Sequence, residues 1–296
     1  MRDNPQPSPS QVSRARVRPL SGVRLPRAIS DILRSRSAVS GAAILLFWIV
    51  IALTAPLISP YSPTGISAAR LQLPSPEHWL GTDHLGRDVM SRLFWGTRTV
   101  LVLAPIATLL GVLGGVTLGL VSGYIGGKVD MLIMRGCDIL MSFPMLLIYI
   151  LIITSLGPSA LNVVISISVG SIPSITRIVR SLVLEARTQD YVNAARLRGE
   201  RLRYILFREI LPNVSGPIIA DACIRVGYAV MAIGSLGFLG LGIPPPTPDW
   251  GGMINEGRQW IFRQPWMVLA PAAALSSLVV ALNMLSDGLK EAAQQR

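Results

Sequence analysis

The stretch YVNAARLRGERLRYILFREILPN, from Tyr191 to Asn213, decides how this chain of 296 residues is interpreted. It is strongly basic, yet long apolar segments lie on both sides of it. Apolar residues recur at helical spacing after Gly199, which predicts an amphipathic helix that Pro212 ends. The arginines of the stretch are Arg196, Arg198, Arg201, Arg203 and Arg208. The pattern therefore predicts a helix, a glycine break and a second helix, together forming a docking element on the cytoplasmic side of a membrane protein.

Two small residues of this stretch, Ala195 and Gly199, lie four positions apart. On one continuous helix they would share a face that carries no bulky side chain. Such a face would allow the backbone of another protein to approach closely. The apolar residues that follow are expected to form a stripe that packs on the rest of the chain: Leu202, Ile205, Leu206 and Ile210.

The composition places the chain in a membrane. It is 51% hydrophobic and only 15% charged, with a mean hydropathy of +0.52, whereas soluble domains carry about 25% charged residues. The net charge is +11, and eight arginines lie in the first forty residues and eight more between Arg177 and Arg208. Basic residues mark the cytoplasmic side of a membrane protein. No aromatic residues interleave with the charge of the tail, so nucleic acid is not an expected partner.

Six apolar segments each approach the roughly 20 residues that cross a bilayer as a helix. They are residues 41–59, 100–124, 134–156, 160–179, 215–239 and 268–285. The basic segments place the N-terminal tail and the loop 181–213 in the cytoplasm, and six crossings return the C-terminus to that side. We therefore predict an all-α polytopic membrane protein with six transmembrane helices and both termini cytoplasmic.

This topology divides the chain into four parts. Residues 1–40 are expected to be a flexible basic cytoplasmic tail, because they are rich in Pro, Ser and Arg and lack apolar periodicity. Residues 41–59 form the first transmembrane helix and 60–98 an extracytoplasmic loop. Residues 99–290 form a core of five transmembrane helices that includes the cytoplasmic loop 181–213.

The outer loop contains the run GTDHLGRD, from Gly81 to Asp88. Asp83, His84 and Asp88 offer two carboxylates and one imidazole, but no second histidine stands at a ligand spacing. We therefore expect no metal site. The favoured interpretation is a capped turn that leads into a helix, with Arg87 and Arg92 paired to nearby carboxylates.

Charged residues inside the apolar segments are few. Asp221 and Arg225 lie four residues apart and can pair on one helix face. An ion pair within a membrane is costly and marks a buried or functional site. Two interpretations stay open, a structural clamp between helices, which is favoured, and a polar lining of a translocation path. The repeated G-x-x-x-G spacing of Gly111, Gly115 and Gly119 predicts close helix packing, either within the chain or between subunits.

Patterns for catalysis are missing from the sequence. The run from Ser122 to Val129 approaches a phosphate-binding loop, but it lacks the first glycine and the final Ser or Thr of that motif. It also follows an apolar span and not a strand. No residue is therefore expected to be catalytic or to bind a cofactor, and energy for transport must come from another protein.

The basic stretch resembles the "EAA" loop of ABC-importer permeases, which seats on the ATPase subunit. The matching residues are Ala194, Ala195, Gly199, Leu211 and Pro212, with Tyr191 in the same loop. Asn193 stands where the family has glutamate, so a hydrogen-bonding group remains without the charge. The outer run resembles a signature of permeases for dipeptides, oligopeptides and nickel, carried here by Gly81, Thr82, Asp83, Gly86, Arg87 and Asp88. A later run, from Leu241 to Gly251, is similar to the same family.

The resemblance implies a type I ABC-importer permease fold, in the "C" member of a paired set, in the inner membrane of a prokaryote. It implies a heterodimer with a second permease, one or two ATPase subunits that use ATP and Mg, and an extracytoplasmic solute-binding protein. The loop 190–213 would couple the permease to the ATPases. The expected solutes are peptides, with nickel, glutathione or another solute as alternatives.

Two other functions compete with this interpretation. An ion-coupled secondary transporter would need a midplane carboxylate and internal repeats, whereas Asp221 is a weak candidate and no convincing repeat is present. Uptake that depends on an ATPase would separate the two. An intramembrane enzyme would need a nucleophile with a base or a metal pattern, and the sequence contains neither.

Overall fold

The computed structural model describes residues 36–294, with side chains from 37 to 288. The tail expected over residues 1–40 therefore lies almost wholly outside the described residues. In the described part, regular structure is helical apart from one bridge between Thr82 and Asp88. The helices are α1 (Arg36–Ile58), α2 (Val89–Ile125), α3 (Gly127–Met141), α4 (Met145–Leu156), α5 (Ala160–Ala186), α6 (Asp190–Leu197), α7 (Leu202–Phe238), α8 (Trp250–Gly257) and α9 (Trp266–Gln294). A short 3-10 turn, Arg258–Trp260, follows α8.

Five of these helices, α1, α2, α5, α7 and α9, are long and apolar enough to cross a membrane. The prediction of one continuous helix over 134–156 is wrong. The chain there forms α3 and α4, which are bent by 89° relative to each other. Pro144 lies at the break, and proline both lacks the amide hydrogen of a helix and disfavours helical backbone in the residue before it. The described chain thus has five spans, or six if the bent pair crosses once.

Several boundaries differ from those expected. α1 begins at Arg36, so residues 36–40 belong to the helix and not to a flexible tail. α2 begins at Val89, inside the expected loop 60–98, because the Asp88 side chain accepts a hydrogen bond from the backbone N–H of Ser91 at 2.7 Å and caps the helix. α5 and α7 extend into the expected loop 181–213, which leaves only 187–201 between them.

Pro212 does not end a helix, contrary to the prediction. It lies within α7, directly after a π-helical segment, Ile205–Ile210. There the N–H of Leu211 donates to the carbonyl of Leu206, five residues earlier. In a regular α-helix, a proline ring clashes with the carbonyl four residues before it. In the π-helical segment before Pro212, the hydrogen bonds instead span five residues, so the pattern of a regular α-helix is interrupted there.

The closest helix packing joins α2 to α5 through a stripe of glycines. A Cβ added at Gly115 would lie 2.5 Å from the Cβ of Ile175, and one at Gly119 would lie 2.6 Å from the Cβ of Val179. Gly111 and Gly123 meet Ser171 and Val183 of α5 in the same way. The G-x-x-x-G steps therefore serve packing within the chain, which decides one of the alternatives left open by the sequence.

Two hydrophobic clusters occupy opposite ends of the bundle. One includes Trp48, Val89 and Trp250, near the segments 60–88 and 239–265, which we call the long-loop end. The other includes Val183 and Ala195, near residues 187–201, which we call the basic end. α2 and α5 run between the two ends, so the packing of these two helices fixes how both are placed.

We expect Gly115→Val to destabilise the fold, because its side chain would overlap Ile175 and overpacking typically costs about 1–3 kcal/mol. Gly136→Val is the matched control, since an added Cβ at Gly136 meets nothing within 4 Å. The unfolding midpoints of the detergent-purified variants, monitored by size-exclusion chromatography after heating, measure the difference in stability. An unchanged unfolding midpoint for Gly115→Val would contradict the packing described for α2 and α5.

Candidate functional site

α6 is the centre of the basic end, and its two faces are different. Val192 and Ala195 have no exposed surface and pack into the cluster that contains Val183 and Ile210. Ala194, one position earlier, faces outward. The two alanines of the motif therefore act differently, because Ala195 permits close packing inside the chain while Ala194 leaves the outer face flat.

Gly199 ends α6 through its backbone. Its φ is +73°, a left-handed conformation that glycine adopts without strain. Its N–H donates to the carbonyl of Arg196 at 2.9 Å, and the N–H of Glu200 donates to the carbonyl of Ala195 at 3.2 Å. These two bonds form a Schellman motif. The prediction that Ala195 and Gly199 share one helix face is wrong, because α6 ends at Leu197 and an added Cβ at Gly199 meets nothing within 4 Å.

The apolar stripe after the glycine is confirmed in three of its four residues. Ile205, Leu206 and Ile210 are buried in the cluster of the basic end, whereas Leu202 is 44% exposed. Tyr191 and Leu211 are partly buried against the same cluster. The structure thus brings Tyr191, Ala195 and Leu211 together as inward-facing supports, while Asn193, Ala194 and Gly199 remain on the surface.

The sequence analysis missed Leu197. Its side chain is 90% exposed, although it is the last residue of α6 and stands between two arginines. The signal was present in the spacing. Because Val192 and Ala195 define the buried face at positions i and i+3, Leu197 falls off that face. A single exposed leucine is common on protein surfaces, and here it marks the outward face of α6.

At the long-loop end, the charged residues of the GTDHLGRD run form a buried network with α8. Arg87 donates from Nε to Asp83 and from Nη2 to Glu256, both at 2.6 Å. Arg92 donates to Glu256 at 3.0 Å and lies 3.4 Å from Asp83. Asp83 also accepts from the backbone N–H groups of Leu85 and Arg87. Two positive and two negative side chains thus hold the segment 60–88 against α8. The predicted pairing of Arg87 and Arg92 with nearby carboxylates is confirmed.

The uncharged residues of the run shape the turn that carries the network. The hydroxyl of Thr82 donates to the carbonyl of Ala69 at 2.5 Å and accepts from the N–H of Gln72 at 2.9 Å. Gly81 and Gly86 have φ of +75° and +85°, and an added Cβ at either would lie 2.2 Å from a neighbouring carbonyl oxygen. Only glycine combines the positive φ with the absence of a Cβ that these two positions require.

A metal site in this network has little support. The possible ligand atoms of Asp83, His84 and Glu256 lie within 4.8 Å of one another. Both carboxylates, however, already bind two guanidinium groups, whose charge opposes a cation. Asp88 does not join this group, because its carboxylate lies 2.9 Å from Nδ1 of His78 and accepts from the N–H of Ser91.

The segment before α8 adds a buried acid. Asp249 caps α8 by accepting from the N–H of Gly252 at 2.9 Å. Its second oxygen is buried without a hydrogen-bond partner among the described residues. Burial raises the pKa of Asp249 to about 6, against the effect of its backbone hydrogen bonds. Next to it, Trp250 is fully buried, donates to the carbonyl of Leu93 at 3.0 Å and packs edge to face on Trp48.

Asp221 and Arg225 are ion-paired on α7, as their spacing predicted. Arg225 also donates to the hydroxyl of Ser174 on α5 at 2.8 Å. The pair therefore connects two long helices, a geometry that fits a structural clamp. Whether it also lines a translocation path remains a prediction. Asp138 pairs with Arg177 of α5, at 2.5 Å.

Comparison with known proteins gives two family matches. The family described as "Binding-protein-dependent transport system inner membrane component" matches residues 115–296. The family described as "N-terminal TM domain of oligopeptide transport permease C" matches residues 27–74. The two matches do not overlap, and together they include α1, the last part of α2 from Gly115 onward and every later helix.

Individual relatives agree with these families. The dipeptide transport system permease protein DppC of Alkalihalophilus pseudofirmus is 41% identical over 267 residues, which are 90% of this chain and 88% of that protein. The glutathione transport system permease protein GsiD of Pectobacterium atrosepticum is 39% identical over 262 residues, covering 88% and 87%. The di/tripeptide transport system permease protein DppC of Pseudomonas aeruginosa is 36% identical over 267 residues, covering 87% and 88%.

We expect the buried carboxyl of Asp249 to make stability fall as pH rises. Below pH 3.8 the carboxyl is protonated in both folded and unfolded chains, so its burial carries no charge penalty. Between there and about pH 6 the unfolded chain ionises first, and the folded state loses stability relative to it. Asp249→Asn keeps an oxygen for the N–H of Gly252 and cannot ionise.

The unfolding midpoint of Asp249→Asn, relative to wild type, should therefore rise as pH increases from 4 to 7. The shift in pKa corresponds to about 3 kcal/mol at the upper limit. Taking the difference at each pH cancels the titration of other groups to a first approximation. Asp249→Ala, which loses the cap, should be less stable than Asp249→Asn throughout. A pH-independent difference between wild type and Asp249→Asn would show that Asp249 is not held at a raised pKa.

Proposed function

Because the chain belongs to the family of binding-protein-dependent transport system inner membrane components, we propose that it imports short peptides and meets its ATPase through α6. It is a multi-pass permease subunit of an ABC importer in the plasma membrane, and it is not an enzyme. In this proposal it forms half of the translocation pathway, and a second, homologous permease forms the other half. One or two partner ATPases bind ATP and Mg, and an extracytoplasmic binding protein delivers the solute.

The proposed substrate class rests on the chemistry shared by the relatives. Their names specify dipeptides, di- and tripeptides, and glutathione, which is itself a modified tripeptide. A pathway for such solutes must accommodate peptide bonds and the two charged ends of a short chain. Nickel or another small solute remains the alternative within the same mechanism. Competition between labelled dipeptides, glutathione and nickel in an uptake assay would decide between them.

The observation that carries the coupling role is the two-faced packing of α6. Its inner face, with Val192 and Ala195, is buried against residues of α5 and α7. Its outer face offers Ala194 and the exposed Leu197. A partner that pulls on the outer face therefore acts on two membrane-spanning helices through tightly packed contacts, which is what mechanical coupling requires.

The proposed topology places the basic end in the cytoplasm and the long-loop end outside. The arginines of the loop support this orientation through the positive-inside tendency. The long-loop end would then receive the binding protein. The clamp between residues 60–88 and α8 keeps that surface rigid, because its four charged groups are mutually paired and three of them, Asp83, Arg87 and Arg92, are buried.

Cysteine labelling in intact cells tests the orientation, after Cys137 and Cys223 have been replaced by serine. Phe262→Cys should react with a membrane-impermeant maleimide, because Phe262 is fully exposed at the long-loop end. Arg203→Cys should react only after the membrane is opened. The reverse labelling pattern would contradict the proposed topology and with it the position of the ATPase.

Substitutions at Gly199 test the coupling role. Gly199→Val should disturb the end of α6, because a left-handed conformation costs a residue with a side chain about 1–2 kcal/mol and more when it is β-branched. Asparagine tolerates this conformation, so Gly199→Asn is the matched control. We expect Gly199→Val to insert normally but to retain less ATPase during purification and to import less peptide, while Gly199→Asn stays close to wild type. Wild-type ATPase retention and uptake in Gly199→Val would exclude α6 as the coupling element.

A further inference from the structure

A polar pocket of about 400 Å³ opens at the basic end, beside α6. Its lining residues are Tyr124, Arg187, Thr188, Asn193 and Arg196. Tyr124 lies near the end of α2, Arg187 and Thr188 follow α5, and the last two belong to α6. Three elements thus converge on one cavity whose lining contains two positive charges and no acidic residue.

Both arginines of the pocket are held by neutral acceptors. Arg196 donates from Nε to the hydroxyl of Tyr124 at 3.0 Å, and its guanidinium carbon lies 4.9 Å from the centre of the tyrosine ring. Arg187 donates from Nη1 to the backbone carbonyl of Gly123 at 3.1 Å. A guanidinium group carries five N–H donors. Each arginine is therefore oriented by a hydrogen bond to a neutral oxygen and has further N–H donors for another group.

Three carboxylates at the basic end are paired with other arginines. Asp130 binds Arg180 through two hydrogen bonds of 2.6 Å. Glu200 and Glu209 both pair with Arg198. In the part of the chain that the structure describes, neither Arg187 nor Arg196 has a carboxylate oxygen within 4.0 Å. Within the described residues neither arginine of the pocket is thus ion-paired, although the charge of Asp130 acts on Arg187 from a longer distance.

Asn193 lines the pocket together with both arginines and adds no charge to it. A glutamate at this position would bring its carboxylate to the two guanidinium groups. The amide of asparagine brings no charge, but its NH₂ group can donate a hydrogen bond, as can the hydroxyl of Thr188.

We propose that this pocket receives a carboxylate side chain, Asp or Glu, from the ATPase subunit that docks on α6. The inference rests on the proposed function. Two of the lining residues, Asn193 and Arg196, belong to α6 itself, so a protein that covers the exposed Leu197 also reaches the pocket. Planar guanidinium groups bind carboxylates through paired hydrogen bonds. The partner then supplies the acidic group that Asn193 lacks.

Asn193→Glu is the decisive variant, because it places a carboxylate in the pocket from this chain. It should neutralise the arginines and repel the acidic residue of the partner, and so weaken ATPase binding about tenfold or more. Asn193→Gln, which has the length of glutamate without its charge, should weaken binding much less than Asn193→Glu. The measurement is the dissociation constant of the ATPase for the paired permeases in nanodiscs, at low and at high salt.

Removal of the pocket charge gives a second test. The double variant Arg187→Gln/Arg196→Gln should also bind the ATPase about tenfold more weakly, and the salt dependence of binding should decrease. Arg70→Gln is the control, because it removes one charge at the long-loop end. Nanodiscs of phosphatidylcholine alone and with phosphatidylglycerol separate a protein carboxylate from a lipid phosphate. An effect that requires the anionic lipid would overturn the proposal.

The outcomes distinguish this proposal from the coupling role of α6. Weaker binding in Gly199→Val together with unchanged or tighter binding in Asn193→Glu would reject the acidic contact and keep the coupling role. Unchanged binding in both variants would reject both. Weaker binding in Asn193→Glu and in the double-arginine variant, independent of the lipid, supports an acidic side chain of the ATPase in the pocket.

Discussion

The close contact between α2 and α5 is the constraint on which the rest of the structure depends. Glycines along α2 let its backbone approach Ile175 and Val179 of α5 over several turns. α2 begins at the capping residue Asp88, beside the clamp, and it ends next to Tyr124 and the pocket. α5 ends at Ala186, directly before Arg187. The same helix contact therefore positions the long-loop end and the basic end, and any shift between the two helices would be felt at both.

Charged side chains are paired at the long-loop end, whereas two arginines at the basic end are not ion-paired within the described residues. At the long-loop end, Asp83, Arg87, Arg92 and Glu256 pair with one another in a buried network. Such a network holds a surface in one shape, because each arginine contacts both carboxylates and the loss of one member leaves the others with fewer partners in a poorly hydrated site. At the basic end, Arg187 and Arg196 donate to neutral oxygens and keep further N–H donors available. In the proposed topology, the paired network would face the solute-binding protein and the two arginines would face the ATPase.

α6, the proposed coupling element, owes its position to packing against the rest of the chain. It is only 8 residues long, and a helix of this length has little stability of its own. Its position comes from Val192 and Ala195, which are buried, and from the backbone bonds at Gly199 that end it. The helix is thus held as a rigid projection by α5 and α7. This arrangement gives a short surface helix mechanical access to membrane-spanning helices.

The sequence by itself determined the membrane class, the all-helical fold, the family resemblance and the pairing of Asp221 with Arg225. These features depend on composition or on spacings of a few residues, and such spacings act within a single helix. The tertiary structure alone decided that Glu256 completes the clamp of Arg87, that Asp130 binds Arg180, and that Tyr124 accepts a hydrogen bond from Arg196. These partners are far apart in the chain, and no periodic pattern in the sequence predicts that they meet. Local spacing also misjudged Gly199 and Pro212, because the course of a backbone through a turn depends on the hydrogen bonds and the packing that surround it.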